Sequence, residues 1–399
     1  MAESRDTWHF GPCELDHAGR ELRVDGEPRA IEPKAFDLLA YLLTNRERVI
    51  SHDELMDTLW PGVIVTEAAL ARTVMKARKA VGDDAGQQAV IRTVPKRGYR
   101  FVGQLGGSRP GFGIDGNAAP DDLSPVHFAR SGGVHVAWRS LGSSTPAILF
   151  VPGFVSHLDN RYKISSLMRF EERLAHQRRL VTFDKRGMGL SERVSYPPTV
   201  DNTVADMVAV LDAAGIDQAV LFGVSEGGPA TAKFAITQPA RTRAVIMYGA
   251  FAKGSRSSGY PWARPRKIFD AWLEEFVGAW GSPASLEYFA PSMAQDPEAR
   301  AEWAHYLRNA ATPGSVRGIL EALRDIDVRD VLPQIHVPTL VLHRRGDRIA
   351  KWQAGEDMAN RIPGARFRLL EGDDHWWFLG DSEAILREIE DFLATLPPA

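Results

Sequence analysis

The sequence contains a single cysteine, Cys13, so the chain cannot form an intrachain disulfide and nothing marks it for an oxidising compartment. Its first residues are polar and acidic and lack the apolar segment of a secretory signal. No uninterrupted apolar run reaches the roughly 18 residues that would span a bilayer. The formal net charge is −3, so overall charge gives no reason to expect nucleic-acid binding. We therefore expect a soluble cytoplasmic protein in which any basic surface is local.

What the chain does have is enough length and apolar content for about two domains. It contains 399 residues, of which 44% are hydrophobic and 25% charged, which is typical of a globular protein. Residues 105–123 are rich in Gly, Pro, Asp and Asn and show neither helical nor strand periodicity, so they predict a linker. The predicted domains are therefore residues 1–104 and 124–399.

The segment before the linker combines short strands with three helices. Its helical starts carry the expected signals, because Pro33 suits the first turn of a helix and Ser51 with Glu54 forms a capping box. The predicted elements are strands at His9–Leu15 and Glu21–Val24, helices beginning near Pro33, Ser51 and Thr66, and strands at Val90–Val94 and Tyr99–Val102. This order predicts a winged helix-turn-helix.

Four stretches of this segment resemble a known family. PKAFDLLAYLL, ISHDELMDTLWPG, VTEAALARTVMKARKAVGDD and IRTVPKRGYRFVG are similar to the DNA-binding domain of OmpR-type response regulators, and closest to the CadC-like branch without a phospho-receiver. The resemblance covers residues 8 to 104. It implies double-stranded DNA as the partner, with the third helix in the major groove and the wing against the minor groove or backbone. It also implies a homodimer on paired sites.

The third helix separates an apolar face from a basic face. At about 100° per residue, Leu70, Val74, Ala77 and Val81 fall together, opposite three long cations. The predicted DNA-contacting residues are Arg72, Thr73, Lys76 and Lys79 on the helix and Lys96, Arg97 and Arg100 on the wing. Two alternatives are a merely solvated basic face and a winged helix kept for dimerisation. Arg78 lies on the flank, where it could pair with an acid or touch phosphate.

After the linker, strands and helices alternate, which predicts a doubly wound α/β fold. Predicted helices lie near 165–176, 203–214, 228–237 and 383–395. The predicted strands are His135–Ser140, Ala147–Val151, Leu180–Phe183, Ala219–Phe222, Ala244–Tyr248, Thr339–His343 and Phe367–Leu370. Residues 252–331 interrupt this rhythm and are rich in aromatic residues, so we predict a helical lid. These aromatics either line an apolar pocket or pack the lid against the body.

The motif Gly223-Val224-Ser225-Glu226-Gly227 directly follows a strand and precedes a helix, as in a nucleophile elbow. A serine hydroxyl needs a base and an orienting carboxylate to become a nucleophile. Asp347 and His375 follow in the expected order, each after a strand. We prefer Asp347 to Asp373 and Asp374 as the acid, because an immediate neighbour of His375 rarely reaches its Nδ1.

The oxyanion hole needs two backbone N–H donors, which we assign to Glu226 and Phe154. Residues 124 to 396 resemble the serine α/β-hydrolases, and in detail the hydrolase domains fused to bacterial adenylate cyclases and regulators, through VPGF, SHLD, GVSEGG and YGAF. The turn DKRGMGLS at 184–191 matches a structural turn of the same superfamily. No histidine pair with metal-ligand spacing and no phosphate loop is evident, so we expect neither metal nor cofactor.

Two hypotheses follow from joining these domains. In the first, the chain is a one-component transcriptional regulator whose hydrolase domain binds a small-molecule effector, with or without hydrolysing it. In the second, it is a working esterase, lactonase or C–C hydrolase, and the winged helix is a secondary targeting module. The substrate, the operator and the sign of regulation are not encoded in any motif.

Overall fold

The computed structural model describes residues 7–17, 19–24, 27–46, 48–62, 65–84, 86, 88–95, 97–103 and 122–397. The chain divides into two compact units, Met1–Arg109 and Pro110–Ala399, each with its own hydrophobic core. Most of the predicted linker, residues 105–123, lies outside the described residues. The exact boundaries at 104 and 124 therefore stay predictions.

The first unit contains a four-stranded antiparallel sheet, three helices and a hairpin. Its elements are β1 (Thr7–Phe10), β2 (Cys13–Asp16), β3 (Glu21–Val24), β4 (Glu27–Pro28), α1 (Pro33–Thr44), α2 (His52–Leu59), α3 (Glu67–Ala80), β5 (Ile91–Val94) and β6 (Gly98–Phe101). The single strand predicted at 9–15 is in fact two strands, because the chain turns at Gly11, whose φ is +51°. The short strand β4 was not predicted, and the remaining elements follow in the predicted order.

Local sequence explains where these helices begin. The Ser51 hydroxyl accepts a hydrogen bond from the Glu54 N–H, as the capping box predicts. The Glu54 carboxylate does not complete the box, however, because it accepts hydrogen bonds from Arg48 and Tyr41 instead. Thr66 starts α3 without a side-chain hydrogen bond to the helix.

The second unit is built on an eight-stranded sheet. Its strands are β7 (His127–Ser131), β8 (Val134–Leu141), β9 (Ala147–Val151), β10 (Arg179–Phe183), β11 (Ala219–Val224), β12 (Thr242–Tyr248), β13 (Thr339–Arg344) and β14 (Arg366–Leu370). They lie in the order β14-β13-β12-β11-β9-β10-β8-β7. The six strands from β14 to β10 are parallel, and β8 and β7 add an antiparallel edge. The strand β7 was not predicted from the sequence.

Helices cover both faces of this sheet. They are α4 (Leu158–Arg161), α5 (Ser165–Ala175), α6 (Val200–Ala213), α7 (Gly227–Thr237), α8 (Arg266–Gly278), α9 (Leu286–Phe289), α10 (Pro297–Ala310), α11 (Pro313–Asp325), α12 (Trp352–Arg361) and α13 (Ser382–Ala394). Alternate residues of β9 enter different cores, with Ile148 and Phe150 on one face and Leu149 and Val151 on the other. A sheet buried on both faces explains the continuous apolar runs of its strands.

Four of these helices, α8 to α11, lie between β12 and β13, where the sequence predicts a lid. They pack on the same face of the sheet as α5 and α13. Among the described residues, no helix combines the length and the apolar character that crossing a membrane requires. Within the same residues, no group of three or more His, Cys, Asp or Glu side chains is placed to hold a metal ion.

Candidate active site and candidate DNA-binding surface

Ser225 lies in the sharp turn that joins β11 to α7. Its φ is +53°, a left-handed conformation that costs a non-glycine residue of order 1–3 kcal/mol. The flanking glycines permit this turn, because a Cβ on Gly223 would lie 2.3 Å from Thr231 Oγ1 and a Cβ on Gly227 2.2 Å from the Val151 carbonyl oxygen. The strand, the turn and the helix together raise Ser225 above the carboxyl end of the sheet.

Two further loops at the same edge of the sheet bring Asp347 and His375 together. The Nδ1 atom of His375 lies 2.7 Å from Asp347 Oδ2, and both residues are buried. Asp374 is engaged elsewhere, because its carboxylate accepts hydrogen bonds from the Ser292 N–H and hydroxyl. Asp373 is exposed. The geometry therefore agrees with the choice of Asp347 over its two alternatives.

The Asp347 carboxylate is held in its charged form. Burial would raise its pKa, but the His375 imidazole and hydrogen bonds from His343 and His375 bring that pKa well below its usual range. Its Oδ1 also accepts the N–H groups of Ile349 and Ala350 at 2.8 and 3.1 Å. A charged, fixed carboxylate can orient an imidazole and stabilise it when it gains a proton.

The opposite nitrogen of His375, Nε2, is buried and has no hydrogen-bond partner among the described residues. His375 and Ser225 line the same cavity. No hydrogen bond between the Ser225 hydroxyl and this nitrogen occurs among the described contacts, although such bonds often tighten only when substrate is present. The nitrogen is therefore available to a proton from the serine or from a ligand.

The two predicted oxyanion donors lie beside the nucleophile. Gly153, which precedes Phe154, packs so closely that a Cβ there would lie 2.9 Å from Ser225 Cβ. In the described part of the chain, neither the Phe154 N–H nor the Glu226 N–H donates a hydrogen bond to another residue. Phe154 also lines the cavity. Free backbone donors next to the nucleophile suit a developing oxyanion.

A buried ion pair adjoins this region. Lys185 Nζ lies 2.9 Å from Glu226 Oε2, and the two side chains are 4% and 14% exposed. Sequence reasoning treated the turn that holds Lys185 as structural and did not foresee this contact. His343, fully buried 3.4 Å from Asp347 Oδ2, was also missed. Its position four residues before Asp347, at the end of a strand, was the available signal.

The cavity at Ser225 encloses about 540 Å³ of space between atoms, a figure that includes its opening to solvent. Two aromatic residues of the helical insertion, Trp303 and Tyr306, line it. Phe289 instead packs the insertion against the body, because its ring stacks on that of Trp376 with centroids 6.1 Å apart. Both predicted roles of the aromatics thus occur, in different residues. After Ser225 and His375, the remaining lining residues include Arg161, Ile164, Leu167, Trp376, Trp377 and Phe378.

In the first unit, α3 presents the predicted basic face. Arg72, Lys76 and Lys79 are exposed, whereas Leu70, Val74, Ala77 and Val81 are buried. Lys76 pairs with Glu32 at 2.7 Å. Met75, on the same side of the helix, is 61% exposed. This face is thus open to a partner and mainly cationic.

On the flanks of α3, the structure corrects the prediction for Thr73 and decides between the two alternatives that were open for Arg78. Thr73 was predicted to contact DNA, but it is 8% exposed and its hydroxyl donates to the Ala69 carbonyl oxygen. Arg78 is buried and donates to the Ile91 carbonyl oxygen and the Thr93 hydroxyl, with Asp83 3.9 Å away. Arg78 therefore ties α3 to β5 and is not available to phosphate.

The hairpin β5–β6 carries the predicted wing residues. Arg97 and Arg100 are exposed, and Arg100 Nε donates to the Arg46 carbonyl oxygen at 3.2 Å. Lys96 lies outside the described residues. The two described cations extend the basic character of α3 to a second element of the same unit.

Comparison with known proteins places the larger unit in a family. Residues 146–382 match the model of the alpha/beta hydrolase fold. The chain belongs to the α/β-hydrolase family. It is 27% identical over 262 residues to the AB hydrolase superfamily protein YisY of Bacillus subtilis (strain 168), covering 64% of this chain and 93% of that protein. It is 26% identical over 281 residues to a 2-hydroxy-6-oxo-2,4-heptadienoate hydrolase of Pseudomonas putida, covering 66% and 94%.

The smaller unit also matches a family model, and the fold of the larger unit is similar to solved structures. Residues 26–101 match the model described as "Transcriptional regulatory protein, C terminal". Among solved structures, an esterase from Exiguobacterium antarcticum superposes with a TM-score of 0.59 at 23% identity, covering 67% of this chain and 99% of that one. The predicted fusion of an OmpR-type winged helix with an α/β-hydrolase fold is confirmed.

Proposed function

We propose that the chain is a one-component transcription regulator that binds double-stranded DNA through its winged helix and hydrolyses a small-molecule effector at Ser225. The observation that carries the proposal is the buried contact of His375 with Asp347 beside Ser225, in a chain whose other unit presents cations on α3. The family of the larger unit supports hydrolysis, and the match of residues 26–101 supports a regulatory role.

The geometry supports acyl transfer. Ser225 attacks the carbonyl carbon of the ligand while His375 Nε2 takes the hydroxyl proton, and Asp347 stabilises the resulting imidazolium. The oxyanion accepts hydrogen bonds from the N–H groups of Phe154 and Glu226. His375 then returns the proton to the leaving group. Water, activated by the same imidazole, releases the acid and restores Ser225.

The hydrolytic half of the proposal is tested by covalent labelling. A fluorescent alkyl phosphonate should label the full-length protein, and Ser225→Ala should abolish the labelling and the hydrolysis of short 4-nitrophenyl esters. Ser292→Ala serves as a control that removes the hydroxyl of an exposed serine that does not line the cavity. Absence of labelling in the wild-type protein would refute a competent nucleophile.

The DNA-binding half is tested by salt dependence. Each lost phosphate contact should reduce the slope of log affinity against log salt by about one. For DNA fragments selected by the full chain from a random pool, Arg72→Ala with Lys79→Ala should therefore lower the slope by about two. Arg20→Ala with Arg23→Ala removes equal charge from the region of β3 and should change it little. An unaltered slope in the Arg72→Ala, Lys79→Ala variant would refute the assignment of α3 as a DNA-contacting helix.

Coupling between the two halves is tested by adding ligand. An effector shifts DNA binding only if it binds two states of the protein with different affinity. If Ser225→Ala still changes its DNA affinity with ligand, occupancy suffices; if it does not, chemistry is required. We also propose that the DNA-bound form is a homodimer, which sedimentation on a single selected site would test.

A further inference from the structure

A buried cation lies in the wall of the Ser225 cavity. Of the lining residues that the structure describes, Arg161 alone carries a permanent charge, and it is 6% exposed. It ends α4, just beyond the loop that holds Phe154. Its guanidinium lies 4.0 Å from the ring centroid of Phe150 and 5.7 Å from that of Trp377. A charge in such surroundings is costly unless its hydrogen bonds are satisfied.

The partner of Arg161 within the protein is Glu171 on α5, which is 1% exposed. Arg161 Nε donates to Glu171 Oε1 at 2.5 Å, and Nη2 contacts the same oxygen. This Nη2 contact is an ion pair rather than a hydrogen bond, and both Nη2 and Glu171 Oε2 are buried without a hydrogen-bond partner among the described residues. The pair therefore neutralises charge but leaves guanidinium donors unused.

Trp377 provides a second unused donor at the same wall. It is 7% exposed and lines the cavity, and its indole Nε1 is buried without a hydrogen-bond partner in the described part of the chain. A buried donor left unpaired costs about 1–3 kcal/mol. An alkyl ligand would leave both donors unpaired, whereas an oxygen atom near them could accept from Arg161, Trp377 or both.

We propose that Arg161 and Trp377 form a subsite for an oxygen-bearing end of the ligand, so that the effector is an ester of a dicarboxylic or an oxo acid. This inference rests on the proposed function, which places the scissile carbonyl at Ser225. The rest of the lining is largely apolar, which suits a hydrocarbon spacer between the two polar ends. A carboxylate and a ketone each offer an oxygen that accepts hydrogen bonds, and a comparison of ligands distinguishes between the two groups.

The test measures binding to full-length Ser225→Ala protein by calorimetry. Three ligands of equal chain length are compared: methyl hexanoate, methyl 5-oxohexanoate and monomethyl adipate. We expect at least one oxygen-bearing ester to bind about tenfold or more tightly than methyl hexanoate. Preference for the adipate ester alone identifies a carboxylate, and preference for the oxo ester identifies a neutral carbonyl. Equal or tighter binding of methyl hexanoate would overturn the subsite.

Two variants, each in the Ser225→Ala background, locate the preference. Arg161→Met combined with Glu171→Gln removes the pair without leaving one buried charge, and it should reduce the preference to within about twofold. Trp377→Phe keeps the ring and removes only its donor, so it should reduce the preference partly and remains informative if the first variant does not fold. Arg178→Met with Glu390→Gln removes a partly exposed Arg–Glu pair whose residues do not line the cavity, and it should leave the preference intact.

These experiments test the proposed subsite and the proposed hydrolysis independently. If wild-type protein hydrolyses none of the three esters but Ser225→Ala still prefers the oxygen-bearing ones, catalysis is refuted and the subsite stands. If hydrolysis occurs and the preference survives Arg161→Met with Glu171→Gln, the subsite is refuted and the nucleophile stands.

Discussion

The two units use charged residues in opposite ways. In the α/β-hydrolase unit, the charged groups near Ser225 are buried and have polar partners: Asp347 contacts the His375 imidazole, and Lys185 pairs with Glu226. In the winged-helix unit, Arg72 and Lys79 on α3 are exposed and have no partner among the described residues. The buried charges are suited to act on a ligand that water does not reach, and the exposed ones to meet a large, charged partner in solution.

This contrast has an energetic consequence. Removing one member of a buried ion pair leaves an uncompensated charge in surroundings of low dielectric constant, which strongly destabilises the folded protein. Removing an exposed cation changes stability by little more than about 0.5 kcal/mol, because water already solvates it. Substitutions of the buried charged groups near Ser225 should therefore change the chemistry, and substitutions of the exposed cations on α3 should change DNA binding.

The largest effect is expected at Asp347. Asp347→Asn should lower the hydrolytic kcat by about 10⁴-fold, because an amide cannot hold the imidazole in its productive tautomer. Because the folded pKa of Asp347 is depressed, its contribution to stability is present above the unfolded value near about 4 and is lost only as pH falls below it. Asp373→Asn is the control and should retain wild-type kcat; an equal loss there would break the assignment.

A smaller effect is expected at Lys185. Lys185→Met leaves the Glu226 carboxylate unpaired beside a proposed oxyanion donor, so kcat should fall by about 10²-fold while KM changes little. Adding Glu226→Gln removes the stranded charge and should recover most of the loss. If the double variant is as slow as the single one, the pair has only a structural role.

Adjacent residues of α3 sharpen the contrast within one helix. Arg78→Ala should destabilise the winged-helix unit by about 1–3 kcal/mol, because it leaves buried acceptors of β5 unpaired. Lys79→Ala should stay within about 0.5 kcal/mol. Hydrogen exchange of the α3 and β5 amides in the full chain measures both. Similar protection in the two variants would contradict the buried role of Arg78.

The smallest effect concerns an exposed pair. Hydrogen bonds from Arg48 and then Tyr41 lower the pKa of Glu54 to about 2. A depressed pKa means that the stabilisation is present above the unfolded value near about 4.3 and disappears as pH falls toward about 2. Exchange of the α2 amides, corrected for intrinsic rates, should therefore rise between pH 5 and 3 in wild type more than in Glu54→Gln. Identical pH responses would refute this linkage.

Features that depend on neighbours along the chain were predictable. The seven predicted strands of the larger unit were found at or within a few residues of their predicted positions, because apolar runs between turn residues suit a sheet buried on both faces. The nucleophile elbow was recognisable because its Gly-x-Ser-x-Gly spacing and the strand and helix on either side of it all lie in one short stretch of sequence. The basic face of α3 followed from helical periodicity alone.

Residues on the flank of a helix were not predictable in this way. Thr73 and Arg78 each lie about 70° from the centre of the apolar face of α3, at the angle where burial depends on what packs alongside. Arg78 is buried because the neighbouring β5 provides two hydrogen-bond acceptors for its guanidinium, the Ile91 carbonyl oxygen and the Thr93 hydroxyl. The helical periodicity of the α3 sequence carries no information about which element packs beside it.

The sequence by itself determined the two folds, the order of their elements and the identities of Ser225, Asp347 and His375 as candidates, because these follow from spacing and local backbone preference. Only the tertiary structure decided which carboxylate meets His375, that Lys185 lies against Glu226, and that Arg161 and Trp377 enter the wall of the cavity. Those contacts join residues far apart along the chain, and the energy of a buried charge depends on exactly which groups surround it.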